Sequence, residues 1–332
     1  MIKQFALAAA VLAAMALPAL ADSFPVTVAH VYGTTTIAAK PTRVVSVGMH
    51  EQDFLYALDI APVGVKEWWG EHPYATWPWA EAKRAELGAE PEVMQADGIN
   101  IEWVAAQRPD LIIAIYVSMD ETTYDMLSQI APVVVTPAGF DPWGATWQAE
   151  LTIIDQATSG TTEKSEALIA ALDARYAAAR ADYPQLQGKT GTNVYYDPDS
   201  GNFTVWGSDD LASKFLIDLG LTFPPQLAAL PDVDNRIDVS AEFIDLLEMD
   251  VAVWPLGEDS SDRATVEAMP LYQGLDIATE GRSVWLDDGN GLAYAAMSWQ
   301  TPLSLGYLLD IVPPKLAAAV DGDPATAIPA SE

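Results

Sequence analysis

Ile99-Asn-Ile-Glu-Trp-Val-Ala-Ala-Gln-Arg-Pro-Asp-Leu-Ile-Ile-Ala-Ile115 reads as a short helix, a Pro-Asp turn and a buried strand. Glu102 stands at its start, and Asp110 opens the apolar run eight positions later. The design recurs 140 residues on, where Glu242-Phe-Ile is followed after eight positions by Asp250-Val-Ala-Val. Two helix–turn–strand units of one pattern, this far apart, predict two similar lobes.

A second correspondence extends the repeat. Arg43-Val-Val-Ser-Val-Gly48 predicts a buried strand entering a glycine turn, with a helical pattern through Phe54, Leu55 and Leu58 up to Asp59. Phe203-Thr-Val-Trp-Gly207 pairs with it, followed by Leu211, Phe215, Leu216 and Leu219. Matching Asp59 to Asp218 gives an offset of 159, which is 19 more than the first and assigns about 19 extra residues to lobe one. They fall in Trp68-Trp-Gly-Glu-His-Pro-Tyr-Ala-Thr-Trp-Pro-Trp79. Four Trp in one insertion point to a functional loop, because a plain surface loop gains nothing from so much apolar area.

The chain of 332 residues is long enough for two domains. Residues 1–21 read as a cleavable signal peptide. Lys3 is its charged start, Phe5 to Leu17 its apolar stretch and Ala19-Leu-Ala21 its cleavage site. The stretch is too short to span a bilayer, and no later run reaches that length. A mature chain from Asp22 is expected in the periplasm, without a direct membrane anchor. There is no cysteine, which excludes a lipid-modified cysteine, disulfides, thiolate catalysis and cysteine–zinc sites. Without Lys3, 15 basic residues face 47 acidic ones, a net charge of −32 that repels nucleic acid and anionic lipid. Half of the residues are apolar and eleven are Trp, which argues against disorder.

The expected organisation is an N-terminal lobe over 22–161, a connecting helix over 162–184, a C-terminal lobe over 185–320 and a disordered tail over 321–332. Residues 24–39 alternate as a hairpin. Strand–helix alternation follows through Pro62-Val-Gly-Val65, Leu111–Ile115 and Val133-Val-Val135, as in a parallel sheet covered on both faces. Glu163 to Tyr183 reads as one helix, capped by Thr162 and stopped by Pro184, about 30 Å long. A single stiff helix is a poor hinge, so wide closure is not expected.

Arg43-Val-Val-Ser, Ala61-Pro-Val-Gly-Val65, Glu102 with Pro109-Asp-Leu-Ile-Ile and Leu127-Ser-Gln-Ile-Ala-Pro132 stand in a specific order, with Met269-Pro-Leu-Tyr-Gln and Glu280-Gly-Arg-Ser-Val beyond them. In that order and spacing the chain resembles the iron-complex substrate-binding proteins of ABC importers, the binders of ferric siderophores, haem and cobalamin. Tyr74-Ala-Thr-Trp-Pro-Trp-Ala80 brings it nearest the ferric-siderophore group. The resemblance implies an α/β fold of two Rossmann-like lobes, each a mostly parallel sheet flanked by helices, joined by a rigid helix around a ligand cleft. It also implies that Glu102 and Glu242 meet arginines of a permease dimer. Their bland reading is as carboxylates at helix starts, favoured there by the helix dipole.

Signals of catalysis are weak. His50-Glu51 begins like a zinc-protease helix, but Phe54 stands where the second His would be. His30, His50 and His72 are scattered, and no nucleophile elbow or phosphate loop occurs. Asp197–Gly201 and Asp287–Gly291 read as turns. No catalytic residue, metal site or cofactor is expected. Aromatics instead gather at the predicted carboxyl ends of strands, where open α/β sheets bind ligands. The strand ends of lobe one carry Met49, His50, Trp68, Trp69, Trp77, Tyr116 and Trp143, and those of lobe two Tyr196, Trp206, Trp254, Tyr294 and Trp299. Basic residues near strand ends are few, namely Lys66, Arg236 and Arg263, which suits a neutral or cationic complex better than a triply anionic catecholate. The reading is a monomeric binding protein for a ferric siderophore, of hydroxamate type. Alternatives are haem, with His50, Tyr116 or Tyr294 on the iron, cobalamin, or a periplasmic metal-handling enzyme.

Overall fold

The first helix–turn–strand unit folds as its residues require. Asn100 caps the helix Ile101–Gln107 by accepting the Trp103 N–H at 3.0 Å, and Arg108 ends it in the left-handed region at φ 50°. Asp110 then accepts the N–H of Thr42 at 2.8 Å, the N–H of Arg43 at 2.8 Å and the Thr42 hydroxyl at 2.8 Å. It thereby ties the entry of one strand to the entry of its neighbour.

The computed structural model describes residues 23–330 except 142, 234 and 258–260; the expected signal segment lies outside them. Lobe one begins with an antiparallel hairpin, β1 (Val26–His30) and β2 (Gly33–Ile37). Its sheet is wholly parallel: β3 (Val44–Ser46), β4 (Gly64–Lys66), β5 (Glu92–Met94), β6 (Leu111–Ala114) and β7 (Val133–Val135), in the order β5-β4-β3-β6-β7. The chain winds outward from β3 to β5 and then returns to β6. The gap between β3 and β6 is therefore the switch point where a ligand crevice forms.

Lobe two contains β8 (Gly191–Asn193), β9 (Tyr195–Asp197), β10 (Asn202–Trp206), β11 (Arg236–Val239), β12 (Val251–Pro255) and β13 (Ser283–Leu286). Its parallel part is β13-β12-β8, and β11-β10-β9 is antiparallel. The β9–β10 turn is built by Asp197, which accepts the Asp199 N–H at 3.0 Å and the Ser200 hydroxyl at 2.6 Å, with Gly201 at φ 70°.

This arrangement corrects one half of the repeat. Asp250 accepts the N–H and hydroxyl of Thr190 at 2.8 and 2.9 Å, as Asp110 does with Thr42. Val44 lies opposite Leu111, and Gly191 opposite Val251. The counterpart of β3 is thus β8, not the strand at Phe203–Trp206. The two tied pairs are 68 and 60 residues apart, so the Trp insertion of lobe one is partly matched by the β9–β10 hairpin of lobe two.

The helix Glu163–Asp182 packs against the helices Trp147–Ser159 and Pro302–Ala319. One apolar cluster runs from Phe54, Leu55 and Leu151 through Leu172 and Tyr176 to Phe215, Leu216, Leu305 and Leu308, crossing from lobe to lobe. Residues 321–330 are not the frayed end expected from composition. Lys315, 2% exposed, donates to the Pro329 carbonyl at 2.6 Å, and Ile328 packs on the main core. A buried ammonium needs that acceptor, which fastens the segment. Among the described residues no helix is long and apolar enough to cross a membrane.

Candidate ligand-binding site

The floor of the crevice is polar and buried. His50, just past β3, places Nε2 at 3.1 Å from the Glu150 carboxylate, and both are almost fully buried. Burial works to lower the His50 pKa, but the Glu150 charge and hydrogen bond, with Glu51 and Asp53 nearby, outweigh it and raise it. Glu51 accepts the Ile115 and Tyr116 N–H groups at 2.8 Å each, which fixes the chain leaving β6. Asp53 accepts the Trp79 indole N–H at 2.7 Å and the Thr301 hydroxyl at 3.1 Å, linking lobe one to the cap of the last helix.

Above this floor the aromatics join into one network spanning both lobes. The Tyr116 ring lies 4.4 Å from His50 and 4.7 Å from Trp143. Trp68 meets Trp299 edge-on at 5.3 Å, and Trp69 meets Tyr294 at 5.6 Å. These two contacts bring the lobe-one insertion onto the lobe-two helix Leu292–Ser298 and the Trp299 that follows it. The insertion holds Gly70, Glu71, Tyr74 and Ala75 at positive φ, three of them not glycine, which is costly backbone set beside the crevice.

A cavity of about 320 Å³ opens between the lobes, lined by Trp69 from one side and by Tyr195, Tyr196, Trp254, Leu256 and Tyr294 from the other. Lys66, Arg236 and Arg263 do not line it. Arg236 is held by Asp238 at 2.7 Å, and Arg263 by Glu267 at 2.9 Å. The phenols of Tyr116 and Tyr294 and the indole N–H groups of Trp69 and Trp299 donate to no other described residue. Burial raises the Tyr116 phenol to about 12, and the carboxylates of Glu150, Asp210 and Glu51 push the same way. The crevice therefore offers neutral donors and rings within a negative field.

Several expected residues take other places. Trp77 is wholly buried, stacked on Trp79 at 4.9 Å, and supports the insertion from behind. Trp254 is 1% exposed, stacks on Trp285 at 4.7 Å and donates to Ser283, so it belongs to the lobe-two core under the cavity. His50 is 3% exposed, with Nε2 engaged by Glu150 and Nδ1 buried without a hydrogen-bond partner. Met49 and Trp206 are half-buried, and Trp143 is 44% exposed. Tyr195 and Asp210 escaped the sequence reading. Tyr195 lies 5.7 Å from the Tyr294 ring, and Asp210 caps the helix Leu211–Asp218 by accepting the Ala212 N–H. Tyr195 directly precedes Tyr196 on β9, and both line the cavity, which strict two-residue alternation would not have suggested. Among the described residues no cluster of His, Cys, Asp and Glu can hold a metal ion.

The proposed docking carboxylates, Glu102 and Glu242, are both exposed. Their settings differ: Glu102 opens an α-helix, and Glu242 sits in the 3-10 segment Ala241–Leu247, broken at Phe243.

Comparison with known proteins gives a consistent picture. Residues 44–288 match the family described as periplasmic binding protein. The probable siderophore-binding lipoprotein YfiY of Bacillus subtilis is 30% identical over 206 residues, 61% of this chain and 59% of that protein. The chain thus spans less than two thirds of that relative. The ferric enterobactin-binding periplasmic protein FepB of Escherichia coli is 27% identical over 279 residues, 76% of this chain and 80% of FepB. Streptococcus pneumoniae PiaA, solved in complex with ferrichrome, is 26% identical with a TM-score of 0.74, covering 90% of this chain and 99% of PiaA.

Proposed function

The chain belongs to the periplasmic binding protein family, and we propose that it captures a ferric siderophore of hydroxamate type and hands it to an ABC importer. Family membership makes it a substrate-binding protein rather than an enzyme. The names of YfiY and FepB and the ferrichrome bound to PiaA support an iron-chelate cargo. The observation that carries the hydroxamate reading is the lining of the crevice. Its donors are uncharged, no Arg or Lys lines the cavity, and the charges of Glu150, Asp210 and Glu51 act on Tyr116 beside it. A triply anionic catecholate complex would meet no Arg or Lys in the cavity lining. The oxygens of a neutral or cationic hydroxamate complex accept from phenol and indole groups, and its carbon skeleton covers the rings.

On this reading Met49, Trp68, Trp69, Tyr116, Trp143, Tyr195, Tyr196, Trp206, Tyr294 and Trp299 surround the cargo. Glu102 and Glu242 meet the permease, and the exported chain works in the periplasm. Trp emission, titrated with ferrioxamine B and a ferric tris-catecholate in direct competition at physiological salt, tests it. Ferrioxamine B should bind more tightly; a preference for the catecholate overturns the hydroxamate assignment.

A further inference from the structure

Given the hydroxamate reading above, on which this inference rests, we propose that Asp210 is the counter-ion for a positive charge on the cargo, so that the crevice selects a ferric hydroxamate bearing a protonated primary amine over a neutral one. Asp210 precedes the helix Leu211–Asp218 of lobe two and caps it by accepting the Ala212 N–H on Oδ1 at 2.8 Å. Gln300, next to Trp299, donates to the Leu211 carbonyl at 2.7 Å, which holds the start of this helix beside the inter-lobe indoles. The Asp210 charge reaches the phenol of Tyr195 in its own lobe and that of Tyr116 in the other. Its field thus extends across the crevice from one lobe to the other.

Asp210 differs from the other carboxylates of the crevice in what it lacks. Of the three that act on Tyr116, Glu150 is engaged by His50 at 3.1 Å, and Glu51 accepts two backbone N–H groups. In the floor, Asp53 accepts from Trp79 and Thr301. Asp210 is half-buried, its Oδ2 accepts from no described residue, and no described Lys, Arg or His pairs with it. Burial raises its pKa, opposed only by the Ala212 hydrogen bond. The ion pairs of this chain lie on other acids, among them Asp59, Asp238, Asp250 and Asp310. A half-buried carboxylate without a cation is costly, and a bound cation relieves that cost. The cavity adds ring faces from Trp69, Tyr195, Tyr196 and Tyr294, with the Tyr294 ring 5.7 Å from Tyr195 and 5.6 Å from Trp69. Such faces attract a cation, and a primary ammonium brings the donors that the open Asp210 oxygen accepts. The iron centre of a tris-hydroxamate complex is neutral, so a pendant ammonium makes the whole complex cationic.

The test is calorimetric titration of the full exported chain with ferrioxamine B, which carries a free ammonium, with its neutral N-acetylated form and with a ferric tris-catecholate. Ferrioxamine B should bind roughly tenfold more tightly than the acetylated form, or better. Asp210→Asn should bring ferrioxamine B down to the affinity of the acetylated form and leave the acetylated form nearly unchanged. Asn caps a helix as well as Asp does, so the melting temperature should hold. Asp209→Asn, which removes the same charge from an exposed neighbour, should preserve the preference. Equal binding of the two hydroxamates by the wild type, a preference that survives Asp210→Asn, or one that Asp209→Asn removes equally would each overturn the role of Asp210 and leave the hydroxamate reading standing. Tighter binding of the tris-catecholate than of either hydroxamate would overturn both together.

Discussion

Asp53 links the two lobes through a carboxylate that is 1% exposed. Burial raises its pKa from the ordinary 3.8 to about 6, against the hydrogen bonds from Trp79 and Thr301 and the nearby His50, which lower it. An acid with a raised folded-state pKa binds its proton more tightly when folded. Its contribution therefore favours the fold at low pH, declines as pH climbs from about 4 to about 6, and is flat above. Roughly two units at about 1.4 kcal/mol each give a full span of about 3 kcal/mol. Some 2 kcal/mol of it falls between pH 4 and 8. Asp53→Asn keeps an oxygen for the Trp79 and Thr301 donors and removes the charge. The amide has its own packing cost, but that cost is the same at every pH and cancels in the difference. Urea unfolding of both proteins at pH 4, 5, 6, 7 and 8 should show the variant gaining about 2 kcal/mol on the wild type across the series. Most of the gain should come below pH 6.5. A difference constant within 0.5 kcal/mol, or a variant that loses ground as pH rises, would refute the argument that burial dominates at Asp53.

The inter-lobe indoles should report cargo directly. Saturating ferrioxamine B should quench Trp emission strongly, and Trp68→Ala or Trp69→Ala should each cost about 1–3 kcal/mol of binding with unchanged stability; full affinity with both replaced would make the insertion scaffold only. Glu102→Ala combined with Glu242→Ala should abolish or severely reduce uptake in a reconstituted transport assay, with cargo affinity and melting temperature nearly unchanged. Normal transport by that double variant would reduce both residues to helix-start carboxylates.

Much of this chain is legible through local physics. The helix–turn–strand unit at 99–115 announces itself through apolar period and a Pro-Asp turn, both settled within a few residues. The same rules place the connecting helix and the turns at Asp197 and Asp288. The gathering of aromatics at strand ends is legible because parallel sheets put their ligand crevice there. Strand pairing is not. β8 and β10 are both short strands, and β10 is the one that runs into glycine and a helix, yet β8 occupies the place of β3 because Asp250 ties Thr190 to β12. That bond joins residues 60 apart, and nothing in the intervening sequence encodes it. The division of labour among the tryptophans is decided the same way. Trp68 and Trp77 belong to one insertion, but one faces Trp299 across the lobes and the other is sealed behind it. Composition measures how much apolar surface a loop carries; only the packed neighbours decide which ring that surface leaves for a ligand.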